Sequence, residues 1–261
     1  MPKEFTSEPN AQESAVIAGR NAVTEALKKA RPIDCIYILK GADRGSVGKI
    51  IALAKERGVP VKDAAAQKLD ALCGGVVHQG VAAMAACHDF STMEDIFAKA
   101  GDQPPFIIIC DNIEDPHNLG AIIRTAEAAG AHGVFIPKRR GVGLTATVAK
   151  TSAGAVEYMP VVRVANIVST IEELKQKGLW IFCADMDGKP WCSADMGGPI
   201  GIVVGAEGSG VSRLTKEHCD FVVSLPMNGQ VNSLNASVAA AIVIYEAVRQ
   251  RSGLPAFTSN K

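Results

Sequence analysis

From Phe106 to Arg249 the chain alternates short, continuously apolar runs with helix-like segments, and this alternation limits the fold more than any other feature. Strands are expected at Phe106–Cys110, Gly133–Ile136, Val161–Val164, Leu179–Ala184, Ile200–Val204 and Phe221–Leu225. Helices are expected at Gly120–Ala129, Thr145–Ala153, Ile167–Lys177, Ser212–Glu217 and about Leu234–Arg249. Strands that are apolar on both faces need cover on both faces, so the pattern predicts an α/β unit around a mostly parallel sheet. Such a sheet offers ligands the loops at the C-terminal ends of its strands.

The N-terminal part reads as a second, smaller α/β unit. Val23, Ala26 and Leu27 at helical spacing give an amphipathic helix over Gly19–Ala30, followed by a strand at Ile33–Leu39. A helix at Val47–Arg57 ends on Gly58, and a short strand, Val59–Val61, a short helix, Gln67–Leu72, and a strand, Gly80–Cys87, complete the unit. Ser91–Lys99 is helix-like and is followed by the punctuating run GDQPP. The expected organisation is a loose tail over 1–13, a domain over 14–89, a linker over 90–104 and a larger domain over 105–261.

With 261 residues, 48% of them hydrophobic, two cores of this kind are affordable in size. Lys plus Arg equals Asp plus Glu at 27 each, so any contact with a polyanion must use local patches rather than a global field. The seven cysteines are scattered without metal-ligand spacing, which argues for small hydrophobes in a reducing compartment. Neither a leader-like segment nor an apolar run of membrane-spanning length is visible, and a cytoplasmic protein without membrane contact is expected.

Three polar stretches interrupt the pattern, each after an apolar strand. The first, DNIEDPHNLGAIIR, carries Asn118 and Arg124, with Gly120 expected to turn the chain tightly into a helix whose first turn holds Arg124. Free N–H groups of that turn beside a guanidinium would grip phosphate. Pairing of Arg124 with Glu127 or Glu114 on a solvated face fits equally well. Lys138, Arg139 and Arg140 follow as a short basic run, read as a solvated loop or a phosphate contact. The second stretch, GAEGSG over Gly205–Gly210, allows close backbone approach to a ligand. It is neither a phosphate-binding lysine loop nor the dinucleotide fingerprint, and Glu207 suits a ribose hydroxyl or a cation better than a pyrophosphate. The third, LPMNGQVNSLNASVA from Leu225, shows many amides and hydroxyls that a buried core would avoid, although Asn and Ser at a helix start are also ordinary caps.

In this order the three stretches resemble the SpoU, or TrmH, family of RNA ribose 2′-O-methyltransferases over about Pro105–Arg251. The Ser14–His88 region, with AGRNAV near its start and HQGVAA near its end, resembles the accessory RNA-binding domain, similar to ribosomal protein L30e, of many members. The layout is most like that of members acting on a guanosine of 23S ribosomal RNA. The resemblance implies a deep trefoil knot of the SPOUT type in the C-terminal domain, a homodimer formed through that domain, and S-adenosylmethionine as methyl donor with no metal. It places the cofactor around Gly205, Gly208, Leu225, Met227 and Leu234, and it gives catalytic or pocket-organising roles to Asn118, Arg124, Glu207, Ser233 and Asn235. Asn232 departs from the pattern, since many relatives carry Ser there.

A guanidinium hardly deprotonates in a protein, so Arg124 is expected to hold phosphate or stabilise the developing oxyanion rather than act as a base, with Asn118 fixing the arginine or the ribose. Arg20, Lys28, Lys29, Arg31, Arg44 and Lys49 are candidate phosphate contacts of the accessory domain, although acids are nearly as frequent there. His78 and Gln79, ahead of a strand, read as structural. Other readings are a transfer-RNA substrate, a non-catalytic RNA-binding assembly factor, and a nucleotide-dependent oxidoreductase. The last lacks a GxGxxG at the first strand–helix turn of either unit.

Overall fold

The computed structural model describes residues 16–29, 31–86, 88–230 and 233–255. The expected N-terminal tail, Cys87 and Asn232 lie outside the described residues. The chain divides into two compact units, one running to Asp89 and taking Gly143–Ala146, the other comprising Phe90–Val142 and the chain from Thr147.

The first unit contains β1 (Val16–Ala18), α1 (Arg20–Lys28), β2 (Ile33–Leu39), α2 (Arg44–Glu56), β3 (Val61–Ala64), α3 (Ala66–Cys73) and β4 (Val81–Ala85). Its sheet order is β1-β4-β2-β3, with β4 antiparallel to both neighbours and only β2–β3 parallel. Val23 and Leu27 of α1, Val47 and Ile50 of α2, and Ile36 of β2 form its core, as the helical spacing of the apolar residues requires. The three-residue β1 is an element the sequence did not announce, and β3 starts at Val61 rather than Val59.

The second unit contains α4 (Met93–Ala100), β5 (Phe106–Asp111), α5 (Pro116–Ala128), β6 (Gly133–Pro137), α6 (Ala146–Thr151) and β7 (Val161–Val164). It continues with α7 (Ile167–Gln176), β8 (Trp180–Pro190), β9 (Ile200–Gly205), α8 (Arg213–Glu217), β10 (Phe221–Ser224) and α9 (Ala236–Arg251). Every strand pairing in the six-stranded sheet is parallel, in the order β10-β8-β9-β5-β6-β7. All six residues of β5 are buried, which explains the unbroken apolar run at the sheet centre. Ile171 and Leu174 of α7 share a core with Ile107, Ile109 and Ile181, whereas α5 and α9 pack against each other, with α9 also against β9.

The order reverses at β5. From there the chain builds outward through β6 and β7, and β9 closes the other side, with Asp111 opposite Gly205 in register. Loops leaving the C-terminal ends of β5 and β9 therefore diverge and open a crevice, which is where an open parallel sheet takes its ligand.

Three expectations need correction here. Helix α5 begins at Pro116, not Gly120, because Asp115 caps it by accepting from the His117 N–H at 2.9 Å and proline suits the first helical position. Asn118 is thus in the first turn and Arg124 in the third. Gly120 is no turn residue: it lies within α5, where a Cβ would collide with the Thr151 side chain of α6. Finally, β8 runs on to Pro190, six residues beyond Ala184, through a register shift against β10 between Val222 and Val223.

Candidate active site

The crevice is built on a strand end, a glycine turn and a helix cap. Asp111, buried at the end of β5, accepts a hydrogen bond from the Ser212 N–H at 2.8 Å and so ties the loop after β9 to the sheet centre. Within that loop Ala206 and Gly210 exchange two backbone hydrogen bonds, at 3.2 and 2.9 Å, closing a tight turn with Glu207 at its tip. A Cβ on Gly205 would run into the backbone of Gly210 and Val211, so the turn itself requires glycine there. Gly208 has a different reason: its Cβ would meet nothing within 4 Å, but its φ of +78° favours glycine. The expected reason for both, obstruction of a ligand, is thus replaced at Gly205 by an internal clash.

Three side chains from three distant segments meet over this turn. The Asn118 amide Nδ2 donates to Glu207 Oε1 at 3.2 Å. Asn235 donates from Nδ2 to Asn118 Oδ1 at 2.9 Å and also to Glu207 Oε1. Asn235 Oδ1 meanwhile caps α9, accepting from the N–H groups of Ser237 and Val238 at 3.0 and 3.3 Å. Its amide is therefore used at both ends, and its orientation is fixed by the helix it starts. Asn118 is buried, whereas Glu207 is exposed, and the second oxygen of that carboxylate has no partner among the described residues.

Two cavities flank the turn. The first is lined by Gly205, Ala206, Glu207, Gly208, Leu225, Met227, Ser233 and Leu234, together with Ala184, Asp185 and Met186 from β8. All five residues expected to hold a cofactor are brought together there, and Ser233 joins them. The second, of about 440 Å3, opens between the loop after β5 and the same turn, and Ala206, Glu207 and Ser209 line both. Asp185, unmarked in the sequence analysis, is held by Lys216 of α8 at 3.0 Å, and the same ammonium reaches Asp187 at 3.1 Å. The run of acids in CADMDG was the signal available for it.

Arg124 is not part of this cluster. It lies six positions beyond Asn118 on α5, which at about 100° per residue turns the two side chains roughly 120° apart. It is exposed, lines neither cavity, and has no hydrogen-bond or ion-pair partner among the described residues, so neither the expected pairing with Glu127 or Glu114 nor a bond from Asn118 is present. Asn118 fixes Glu207 and Asn235 instead. The helix-start phosphate grip expected for Arg124 falls with the same geometry, since the residue sits two turns from the free N–H groups.

Among the basic residues, Arg20 donates from Nε to the Gln79 carbonyl at 2.9 Å and Lys28 pairs with Glu25 at 2.6 Å. Lys29, Arg31 and Lys49 are exposed, and Arg140 lines the second cavity. His78 lies 3.0 Å from Asp70 and accepts from the Gly80 N–H at 3.0 Å, a structural use. Among the described residues no three His, Cys, Asp or Glu side chains converge as a metal site, and no helix is long and apolar enough to cross a membrane.

The model of the SpoU rRNA Methylase family matches residues 105–245, and that of the RNA 2′-O ribose methyltransferase substrate binding domain matches residues 16–90. YacO of Bacillus subtilis (strain 168), assigned to the TrmH family of tRNA/rRNA methyltransferases, is 44% identical over 244 residues, covering 92% of this chain and 98% of its own. The SpoU methyltransferase AviRb from Streptomyces viridochromogenes, solved in complex with AdoMet, superposes with a TM-score of 0.58 at 23% identity, over 91% of this chain and 90% of its own. The A. aeolicus TrmH/SpoU tRNA modifying enzyme gives a TM-score of 0.52 at 30% identity, over 60% of this chain and 83% of its own. The chain belongs to the SpoU, TrmH-like family of RNA methyltransferases, with an RNA substrate-binding domain ahead of the methyltransferase domain.

Proposed function

We propose that this protein transfers a methyl group from S-adenosylmethionine to the ribose 2′-hydroxyl of one guanosine in 23S ribosomal RNA. It would act in the cytoplasm as a homodimer. The observation that carries this reading is the shared wall: one turn, with Glu207 at its tip, separates a largely apolar cavity from a charged one. A transferase needs two ligands side by side with their reacting atoms in contact, and the two cavities adjoin at Ala206, Glu207 and Ser209.

The residues of the first cavity fit the methyl donor. Leu225, Met227 and Leu234 offer apolar surface to an adenine, while the glycine turn brings peptide groups within reach of a ribose or the amino acid moiety. The cofactor supplies a methyl group already activated on a sulfonium. Ser233 adds a hydroxyl to the same lining. Asn118 and Asn235 hold one oxygen of Glu207, which leaves the other to accept from the ribose 2′-hydroxyl, aim its oxygen and take up the proton it loses on methylation. Arg124, exposed and outside both cavities, meets an RNA phosphate as a fixed positive charge, since it cannot serve as a base.

Homodimerisation is supported by α9, where Val238, Ile242 and Tyr245 form an exposed apolar stripe at helical spacing. The trefoil knot belongs to the same proposal. It is supported by the path of the chain from edge strand β10 back to α9, which packs on β9 and α5 at the centre of the sheet. The substrate-binding domain favours ribosomal over transfer RNA, because the transfer-RNA enzyme cited above matches only 60% of this chain. The test is transfer of labelled methyl to ribosomal and transfer RNA from cells lacking the gene, followed by mapping of ribose methylation. One labelled 23S guanosine is expected. Label confined to transfer RNA overturns the substrate, and label in neither, free or in ribosomal particles, overturns the reaction.

A further inference from the structure

Besides Asn118 and Glu207, the second cavity is lined by side chains that the methyl-transfer geometry does not use. Asn112, Glu114 and Asp115 come from the loop after β5, Arg140 from the loop after β6, and Glu207 closes the far side. Glu114 and Arg140 are exposed, and neither has a hydrogen-bond or ion-pair partner among the described residues. Asp115 spends one oxygen on the His117 N–H. The volume, about 440 Å3, is in the range of small-molecule sites and admits a nucleobase with its sugar. Of the four non-glycine residues with positive φ among those described, two line this cavity: Asn112 at +59° and Arg140 at +56°. Asparagine tolerates that backbone, but for arginine it is strained, and strain of this kind gathers where a side chain has been placed for use.

We propose that this cavity takes the guanine base of the target nucleotide, with Glu114 and Arg140 as the residues that select it; this rests on the methyltransferase reading above. Glu114 accepts from guanine N1–H and the N2 amino group, and Arg140 donates to O6 and N7. The pairing follows from the bases themselves. Guanine alone among the four presents two adjacent N–H donors on one edge, which a carboxylate matches, and two adjacent acceptors on another, which a guanidinium matches. Adenine would set its N1 lone pair against the carboxylate and its N6 amino group against the guanidinium. Cytosine and uracil offer the carboxylate a single N–H group each. The phosphate reading of Arg140 is thereby replaced: its loop places it in a base-sized cavity beside an acid rather than on an open basic surface.

The test uses the full-length protein and 23S ribosomal RNA transcripts, splint-ligated so that the mapped target carries guanosine, inosine or 7-deazaguanosine. Inosine lacks only the N2 amino group, and 7-deazaguanosine only the N7 acceptor. The wild-type protein is expected to prefer guanosine over each analogue by roughly fivefold to tenfold in kcat/KM, about half the worth of a good bidentate contact, because each analogue removes one of its two bonds. In E114A the preference over inosine falls to within about twofold while that over 7-deazaguanosine persists; in R140A the pattern reverses. S-adenosylmethionine affinity by calorimetry stays at the wild-type value in both, since neither residue lines the first cavity. Unchanged preferences in both variants, or a mapped target other than guanosine, overturn the assignment while leaving methyl transfer standing. Absence of transfer to any RNA by the wild-type protein overturns the methyltransferase reading and this assignment with it.

Discussion

The two cavities on either side of the Ala206–Ser209 turn are made of different materials. One is walled by glycines, aliphatic side chains and peptide groups from β8, β9 and the start of α9, with Glu207 and Asp185 as its acids. The other is walled largely by charged and amide side chains from loops and the first turn of α5, with Glu114, Asp115, Arg140 and Asn118 among them. The contrast suits two kinds of ligand. A cofactor that never varies can be held by backbone and shape, which tie the site to the fold. A nucleotide chosen from many must be read by side chains whose donors and acceptors can be wrong for the alternatives.

The sharpest way to break this comparison is to attack the backbone of the shared turn. Gly205→Ala forces a Cβ into the Gly210 backbone, and S-adenosylmethionine binding is expected to weaken by about a hundredfold or more. Gly208→Ala carries only the cost of a left-handed backbone, about 1–2 kcal/mol, and should weaken binding by about tenfold. Calorimetric titration of both variants decides the matter, with thermal unfolding to show that each remains folded. Equal losses would mean that the clash at Gly205 does not shape the cofactor cavity.

Next in size is Arg124, which lines neither cavity. Arg124→Ala should lower kcat/KM for RNA by about tenfold while leaving cofactor affinity unchanged, the loss typical of a removed charge-assisted phosphate contact. In Arg124→Lys the rate should fall evenly across the pH range. If the basic limb of the pH–rate profile instead follows the new residue, the side chain acts as a base.

The smallest effect is a control beneath neither cavity. His132 is buried, with Nδ1 accepting from the Phe106 N–H at 2.9 Å and Nε2 3.3 Å from Gln103 Oε1. Burial, aided by the Arg251 and Lys99 charges, holds its pKa below the ordinary 6.5. The folded chain therefore binds this proton less readily than the unfolded chain does. Its contribution to stability is complete above about 6.5 and is lost as the pH falls below that value. The Tm of the wild-type protein should drop by a few degrees more than that of His132→Gln between pH 7.5 and 5.5. An equal drop in both would remove His132 as the cause.

How far the sequence announced this arrangement differs between the same two regions. The strand spacing and the Ile33–Leu39 and Val161–Val164 strands were legible, because each is an apolar run that ends in a glycine or a polar loop; the five residues of the first cavity were named only through the resemblance to the SpoU family, since Leu225 and Leu234 by pattern alone read equally as core. The second cavity was not. Its walls come from three loops and the start of α5, which only the sheet order brings together, and Arg140 read as one residue of a basic run, either solvated or in contact with phosphate. The extension of β8 to Pro190 was hidden because its outer half is polar, and its partner, β10, lies 31 residues on from Pro190 at Phe221 and reaches it only after a register shift. The start of α5 was a different kind of miss: Asp115–Pro116 is a helix-start signal that local rules contain, passed over in favour of Gly120.

The central claim is that Glu207, held by Asn118 and Asn235, works from the wall between two ligands. Glu207→Gln tests it most directly, because the glutamine carbonyl can still accept from both asparagine amides while its amino group cannot accept from a ribose hydroxyl. Single-turnover methyl transfer at saturating S-adenosylmethionine and RNA should slow by about 10²-fold, with both dissociation constants within about threefold of the wild type. A variant that transfers methyl at the wild-type rate would contradict the account.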